Sequence, residues 1–122
     1  VSVLASEDDL HQIIYNLTEN AIKYNRPGGF VRVTLTGTEQ ECVLLVEDNG
    51  IGIPEEDMPR VFDRFYRVDK MRSRAAGGTG LGLSIVADTV RRRGGTIDVS
   101  AREGGGSRFT VRLPAVGKGA EV

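Results

Sequence analysis

The sequence predicts an α+β fold, a two-layer α/β sandwich in which helices cover one face of a mixed sheet. Three observations lead there. Two stretches repeat apolar residues at three- and four-residue spacing, Leu10, Ile13, Ile14, Leu17 and Ala21 in one and Leu81, Ile85, Val86 and Val90 in the other, as helices with one buried stripe do. Two others alternate apolar with polar residues on either side of a short polar turn, the pattern of strand pairs with a single buried face. With 122 residues, 39% hydrophobic and 27% charged, the chain can build one core but not two. Helices packed on the buried face of those strands satisfy all three.

Ser6-Glu7-Asp8-Asp9 carries a capping signal, with Ser6 as N-cap and a carboxylate three residues on, so the first helix starts there. It ends near Arg26-Pro27-Gly28-Gly29. Val31, Val33 and Leu35 alternate with Arg32, Thr34 and Thr36, and after the turn Gly37 to Glu41 comes the apolar run Cys42 to Val46. Pro54 before Glu55, Glu56 and Asp57 resembles a first helical turn, with Pro near N1 and acids suited to the dipole. That predicts a short helix carrying Met58, Val61, Phe62 and Phe65. Residues 67–79 lose all periodicity, which is long for a plain connection and typical of functional or disordered loops. A second long helix from Gly80 stops at Gly94-Gly95, with Arg91 to Arg93 at its cation-favouring end. Ile97 and Val99, then Phe109, Val111 and Leu113, flank the Gly104 to Gly106 turn as a second hairpin, and residues 115–122 read as a frayed tail.

Composition excludes several classes. The longest apolar run, Cys42 to Val46, is far below the ~18 residues of a membrane span, and the start lacks a basic-then-apolar signal pattern. The single cysteine, Cys42, allows neither an internal disulfide nor a cysteine zinc cluster, which fits a reducing compartment. Net charge is −1, yet residues 1–60 hold 4 basic and 11 acidic side chains while residues 61–122 hold 12 and 6. Six basic residues fall between positions 60 and 74, but without the interleaved aromatics of a nucleic-acid platform. His11, the only histidine, reads as a surface residue of the first helix.

Three groups of residues have chemical potential. On the first helix Asn16, Asn20 and Lys23 share a face at spacings of four and three, offering amide oxygens to a hard cation and an ammonium to phosphate. Read alone, they equally describe a solvated polar face. Asp48-Asn49-Gly50-Ile51-Gly52-Ile53-Pro54 puts an acid at the end of a buried strand before two glycines, able to accept from a ligand amino group while a flat ring approaches the backbone. An ordinary Asp-Asn-Gly turn has the same letters. Gly77-Gly78-Thr79-Gly80-Leu81-Gly82-Leu83 opens a helix, where free N–H groups favour anions, although a flexible loop explains it as well. It matches neither a Rossmann nor a Walker pattern.

Together these segments resemble a family. Asn16-Leu17-Thr18-Glu19-Asn20-Ala21-Ile22-Lys23-Tyr24 is similar to its N box, Asp48 to Pro54 to its G1 box, Val61-Phe62-Asp63-Arg64-Phe65-Tyr66-Arg67 to its F box, and Gly78 to Leu83 to its G2 box. The resemblance, over residues 1–114, is to the ATP-binding catalytic domain of sensor histidine kinases, in the superfamily of DNA gyrase B, Hsp90 and MutL with its Bergerat-type fold. It implies ATP and Mg²⁺ as cofactors, with residues 67–79 as the ATP lid. Asn20 would ligate Mg²⁺ with Asn16 beside it, Lys23 would meet phosphate, and Tyr24 would pack against adenine. Asp48 would accept from the adenine amino group and Gly52 would floor the base pocket, with Gly50 and Ile53 beside it. Arg67 would reach the γ-phosphate, and Thr79, Gly80, Leu81 and Gly82 would bring backbone to the phosphates. Phe62 and Phe65 would anchor the lid by packing.

The activity so implied is transfer of the γ-phosphate to a histidine on a separate dimerisation domain, with a response regulator downstream. That nucleophile would lie outside this chain, which would be monomeric alone, cytoplasmic, and free of nucleic-acid or membrane contact. Two alternatives come with the resemblance. A gyrase-type hydrolase carries a glutamate base where Asn16 stands, and an amide cannot take a proton from water. A nucleotide-sensing or docking module without transfer activity is the non-enzyme reading.

Overall fold

The computed structural model describes residues 7–63 and 82–114. The Ser6 cap, Phe65, Arg67, the 67–79 segment, Thr79, Gly80, Leu81 and the 115–122 tail lie outside the described residues. In chain order the elements are α1 (Glu7–Lys23), β1 (Val31–Gly37), β2 (Glu41–Asp48), a short 3-10 helix (Glu55–Arg60), α2 (Gly82–Arg92), β3 (Thr96–Ala101) and β4 (Ser107–Pro114).

The strands form one sheet in the order β1-β2-β4-β3. Among the described strands it is antiparallel throughout rather than mixed. The reason lies in the second hairpin. β2 and β3 run the same way, as a strand–helix–strand crossover requires, but β4 inserts between them and makes every neighbour pair antiparallel.

Register puts the apolar residues of both central strands on one face. Cys42, Leu44 and Val46 sit opposite Leu113, Val111 and Phe109, and all six are buried. Ile13, Leu17 and Ala21 of α1 and Val86, Ala87 and Val90 of α2 close over them. The predicted stripes supply the helical side of the core, except that Ile85 is 40% exposed and Leu81 lies outside the described residues, and the helices cover one face of the sheet.

α1 and α2 lie antiparallel. Arg93, just past the end of α2, pairs with Asp9 near the start of α1, and the Thr89 hydroxyl donates to Gln12 Oε1 at 2.8 Å. α2 ends in a Schellman motif: Gly94 takes φ 78°, its N–H donates to the Arg91 carbonyl, and Gly95 N–H donates to the Val90 carbonyl.

Two further expectations need correction. Val33 and Leu35 were expected on a buried face but are 46% and 44% exposed. β1 pairs only with β2 among the described strands, so its apolar residues extend the core face beyond the helices. The segment after Pro54 is a 3-10 helix with Pro54 at the N-cap, and Pro59 lies within it. A proline lacks the N–H that an α-helical turn needs, which favours the short form. Val61 and Phe62 follow this helix; Val61 is buried, and Phe62 meets Phe109 edge-on at 6.1 Å.

Candidate functional site

The predicted acid, Asp48, ends β2 and is 4% exposed. Both its oxygens are held. Gly50 N–H donates to Oδ1 at 2.9 Å, and the Ser107 hydroxyl donates to Oδ2 at 2.9 Å. Each carboxylate oxygen has a second lone pair, so the group is fixed in orientation and can still accept from a ligand. Behind it runs the β3–β4 turn, where Gly106 has φ 95° and a methyl would collide with the Asp48 carbonyl. Ser107 was missed from sequence. Its only signal there is a hydroxyl directly after three glycines, and its partner is 59 positions away.

The end of α1 abuts this loop. Tyr24 is half-buried, its carbonyl accepts from Ile51 N–H at 3.2 Å, and a side chain at Gly50 would strike that carbonyl. Gly52 (φ 75°) faces the Gly106 backbone across ordinary contact distance, and half-buried Ile53 packs against the core. Tyr24, Asp48, Gly50, Gly52 and Ile53 are thereby brought together.

On the same helix Asn16 and Asn20 are half-buried and Lys23 is exposed. None of the three side chains has a hydrogen-bond or ion-pair partner among the described residues. Continuing the Asp9–Arg93 and Gln12–Thr89 pairing up the antiparallel helices brings Asn16 level with Ile85 and Asn20 level with Gly82. The amides thus stand beside the N-terminal end of α2, where first-turn N–H groups have no intrahelical acceptor and favour anions. His11 is exposed, as expected of a surface residue. Arg67, Thr79, Gly80 and Leu81 lie outside the described residues.

No cluster of three His, Cys, Asp or Glu suited to a metal exists among the described residues. The donor set here is two neutral amide oxygens. That suits Mg²⁺, which keeps waters and takes substrate phosphates as ligands, and does not suit a metal held by protein alone. No helix among the described residues is long and apolar enough to cross a membrane.

Comparison with known proteins places the chain in a family. The family model for histidine kinase-, DNA gyrase B- and HSP90-like ATPases matches residues 5–117. The chain is 46% identical over 110 residues to the sensor histidine kinase WalK of Bacillus subtilis, covering 88% of this chain and 18% of that protein. Among solved structures it is similar to the mycobacterial sensor histidine kinase MprB, with a TM-score of 0.80, 32% identity, and coverage of 93% of this chain and 76% of that one. Full-length ShkA in complex with AMPPNP matches with a TM-score of 0.77 and 30% identity over 94% of this chain and 23% of that one.

Proposed function

The chain belongs to the family of histidine kinase-, DNA gyrase B- and HSP90-like ATPases, and from that premise we propose that it binds Mg-ATP and presents the γ-phosphate to a histidine on a separate dimerisation domain. The observation that carries this reading is a buried, oriented carboxylate at the end of β2, together with an amide-and-ammonium face on α1 whose side chains have no partner among the described residues.

Phosphoryl transfer asks the protein for positioning and charge neutralisation more than for covalent work. Asp48 accepts from the adenine amino group while Gly50 and Ser107 hold its carboxylate still. Gly52 and Ile53 floor the base pocket, and Tyr24 packs against the ring. Asn20, with Asn16 beside it, offers amide oxygens to Mg²⁺, and Lys23 places its ammonium at the phosphates. Gly82, with Thr79, Gly80 and Leu81 before it, turns backbone N–H groups toward phosphate, and Arg67 reaches the γ-phosphate. Asn20, with Asn16 beside it, would hold Mg²⁺, which would supply charge neutralisation to the phosphates.

The chain spans 18% of the length of WalK, so the phosphoacceptor histidine and a response regulator are assigned to partners outside it. His11 is not given that role: it stands in the early turns of α1, well before the amide face. Alone, the domain is a monomer working in the cytoplasm, where ATP is plentiful, without nucleic-acid or membrane contact. Asn16 argues against a gyrase-type hydrolase, because an amide in that place cannot activate water. Native mass spectrometry with ATP and Mg²⁺ tests binding. Phosphotransfer to an added dimerisation domain tests the chemistry, and binding without transfer would favour the sensing-module reading.

A further inference from the structure

Three chain segments meet at Phe30, and none of the proposed ligand contacts involves it. Its carbonyl accepts from Asn25 Nδ2 at 2.9 Å, and its N–H donates to Asn49 Oδ1 at 2.7 Å. Asn25 lies just past α1, one residue after Tyr24. Asn49 lies between Asp48 and Gly50. Asn25 is further fixed because its Oδ1 accepts from Arg26 N–H at 2.8 Å. Gly29 lets both amides close in, since a side chain there would collide with Asn25 and stand 2.8 Å from Asn49 Oδ1.

The ring is engaged as well. The Arg102 guanidinium lies 4.8 Å and that of Arg32 5.3 Å from its centroid. Arg102 Nε stands 3.7 Å from Glu47, the residue before Asp48, and Arg102 begins the turn whose Gly106 packs behind Asp48. The end of α1, the acid-bearing loop and the β3–β4 turn therefore all take their positions from one residue.

We infer that Asn25 and Asn49, gripping the two backbone groups of Phe30, are positioning residues that hold the carboxylate of Asp48 at a fixed distance from the amide face of α1. The inference rests on the nucleotide reading above. A ligand that reaches both ends gains from that fixed spacing because its second contact is intramolecular, whereas a ligand that reaches one end gains nothing. Ile51 N–H to the Tyr24 carbonyl is a second tie between the segments, but a single tie leaves the loop free to pivot.

The test compares three probes on the 122-residue chain: Mg-ATP by calorimetry, and adenosine and Mg-tripolyphosphate by NMR shift titration. For Asn49→Ala we expect Mg-ATP affinity to fall roughly tenfold, the size of one lost part-buried hydrogen bond. Adenosine and tripolyphosphate should each stay within about twofold, since neither reaches both Asp48 and the amide face of α1. Asn49→Asp keeps an acceptor oxygen at the same reach and should recover most of the ATP loss. Should Asn49→Ala unfold, Asn25→Ala carries the same comparison by cutting the other bond to Phe30. Unchanged ATP affinity, or a parallel loss for all three probes, overturns the inference. Absence of ATP binding by the parent chain overturns the nucleotide reading itself, a result distinct from either.

Discussion

A carboxylate with both oxygens already occupied is a selective acceptor, because its remaining lone pairs point where the fold directs them. Asp48 is such a group, and removing its charge should change which base it accepts. In Asp48→Asn the amide can turn a donor toward a guanine carbonyl, so ATP affinity falls about tenfold or more and the preference over GTP relaxes. A competition assay showing unchanged base preference would remove Asp48 from the adenine site. Asn20→Ala deletes an amide oxygen from the metal face, and the Mg²⁺ dependence of nucleotide affinity should weaken. Calorimetry with and without Mg²⁺ reads this, and an undiminished dependence would place the metal elsewhere. Asp48 and Asn20 were legible in the sequence because residue type and short-range spacing define them. Ser107 and Asn25 were not, since each acquires meaning from a partner that only folding brings near.

At the scale of elements, periodicity located both helices and all four described strands, and it erred where neighbours rather than local pattern decide exposure. Val33 and Leu35 alternate with polar residues as a half-buried strand should, yet among the described strands the one that carries them has β2 on one side alone. The antiparallel sheet likewise depends on where β4 inserts, which no local pattern states. The tight turns are more readable. Gly106→Ala imposes both a positive φ and a collision with the Asp48 carbonyl, so it should destabilise the chain by more than the ~0.4–1 kcal/mol that an unstrained glycine-to-alanine replacement adds to stability, and weaken ATP binding with it. Thermal melting beside calorimetry separates the two effects, and a variant as stable as the parent would mean that the turn relaxes. Inside β2, Cys42 is 2% exposed, and burial pushes its thiol above the ordinary range. The folded chain therefore holds that proton more tightly than the unfolded chain. The contribution is complete below the unfolded thiol value of about 8.5 and is lost as pH rises past it. Urea midpoints measured across that window should fall with pH in the parent and fall less in Cys42→Ala. Equal slopes would exclude the thiol as the cause.

Across the whole molecule, the uneven charge of the sequence turns out to be a pairing scheme. Every ion pair among the described residues joins an acid from the first half to an arginine from the second: Asp9 with Arg93, Glu47 with Arg102 and Arg108, and Glu41 with Arg112. The excess of acids in residues 1–60 and of bases in residues 61–122 was visible from composition alone, but its purpose was not. α1 and β2 come from the acidic half, and their neighbours α2 and β4 come from the basic half, so the sign difference lies across the contacts that close the fold. The pairs are not equal in weight. Arg112 and Glu41 are half-exposed, and such a pair contributes ~0–1 kcal/mol that salt screens further. Glu47 is different, with a side chain only 10% exposed between two arginines, and Arg102 Nε is buried with no hydrogen-bond partner beyond it. Removing the acid leaves that guanidinium, whose Nε is buried beside Phe30, without its counter-charge. Glu47→Ala should therefore cost about 2–4 kcal/mol, against under ~1 kcal/mol for Arg112→Ala. Raising the salt concentration should erase most of the smaller effect and little of the larger one, because ions reach Glu41 and Arg112 but not the interior of the Glu47 cluster. Denaturant titrations of both variants at low and high salt measure this, and equal losses for the two would show that the halves are held together by packing alone.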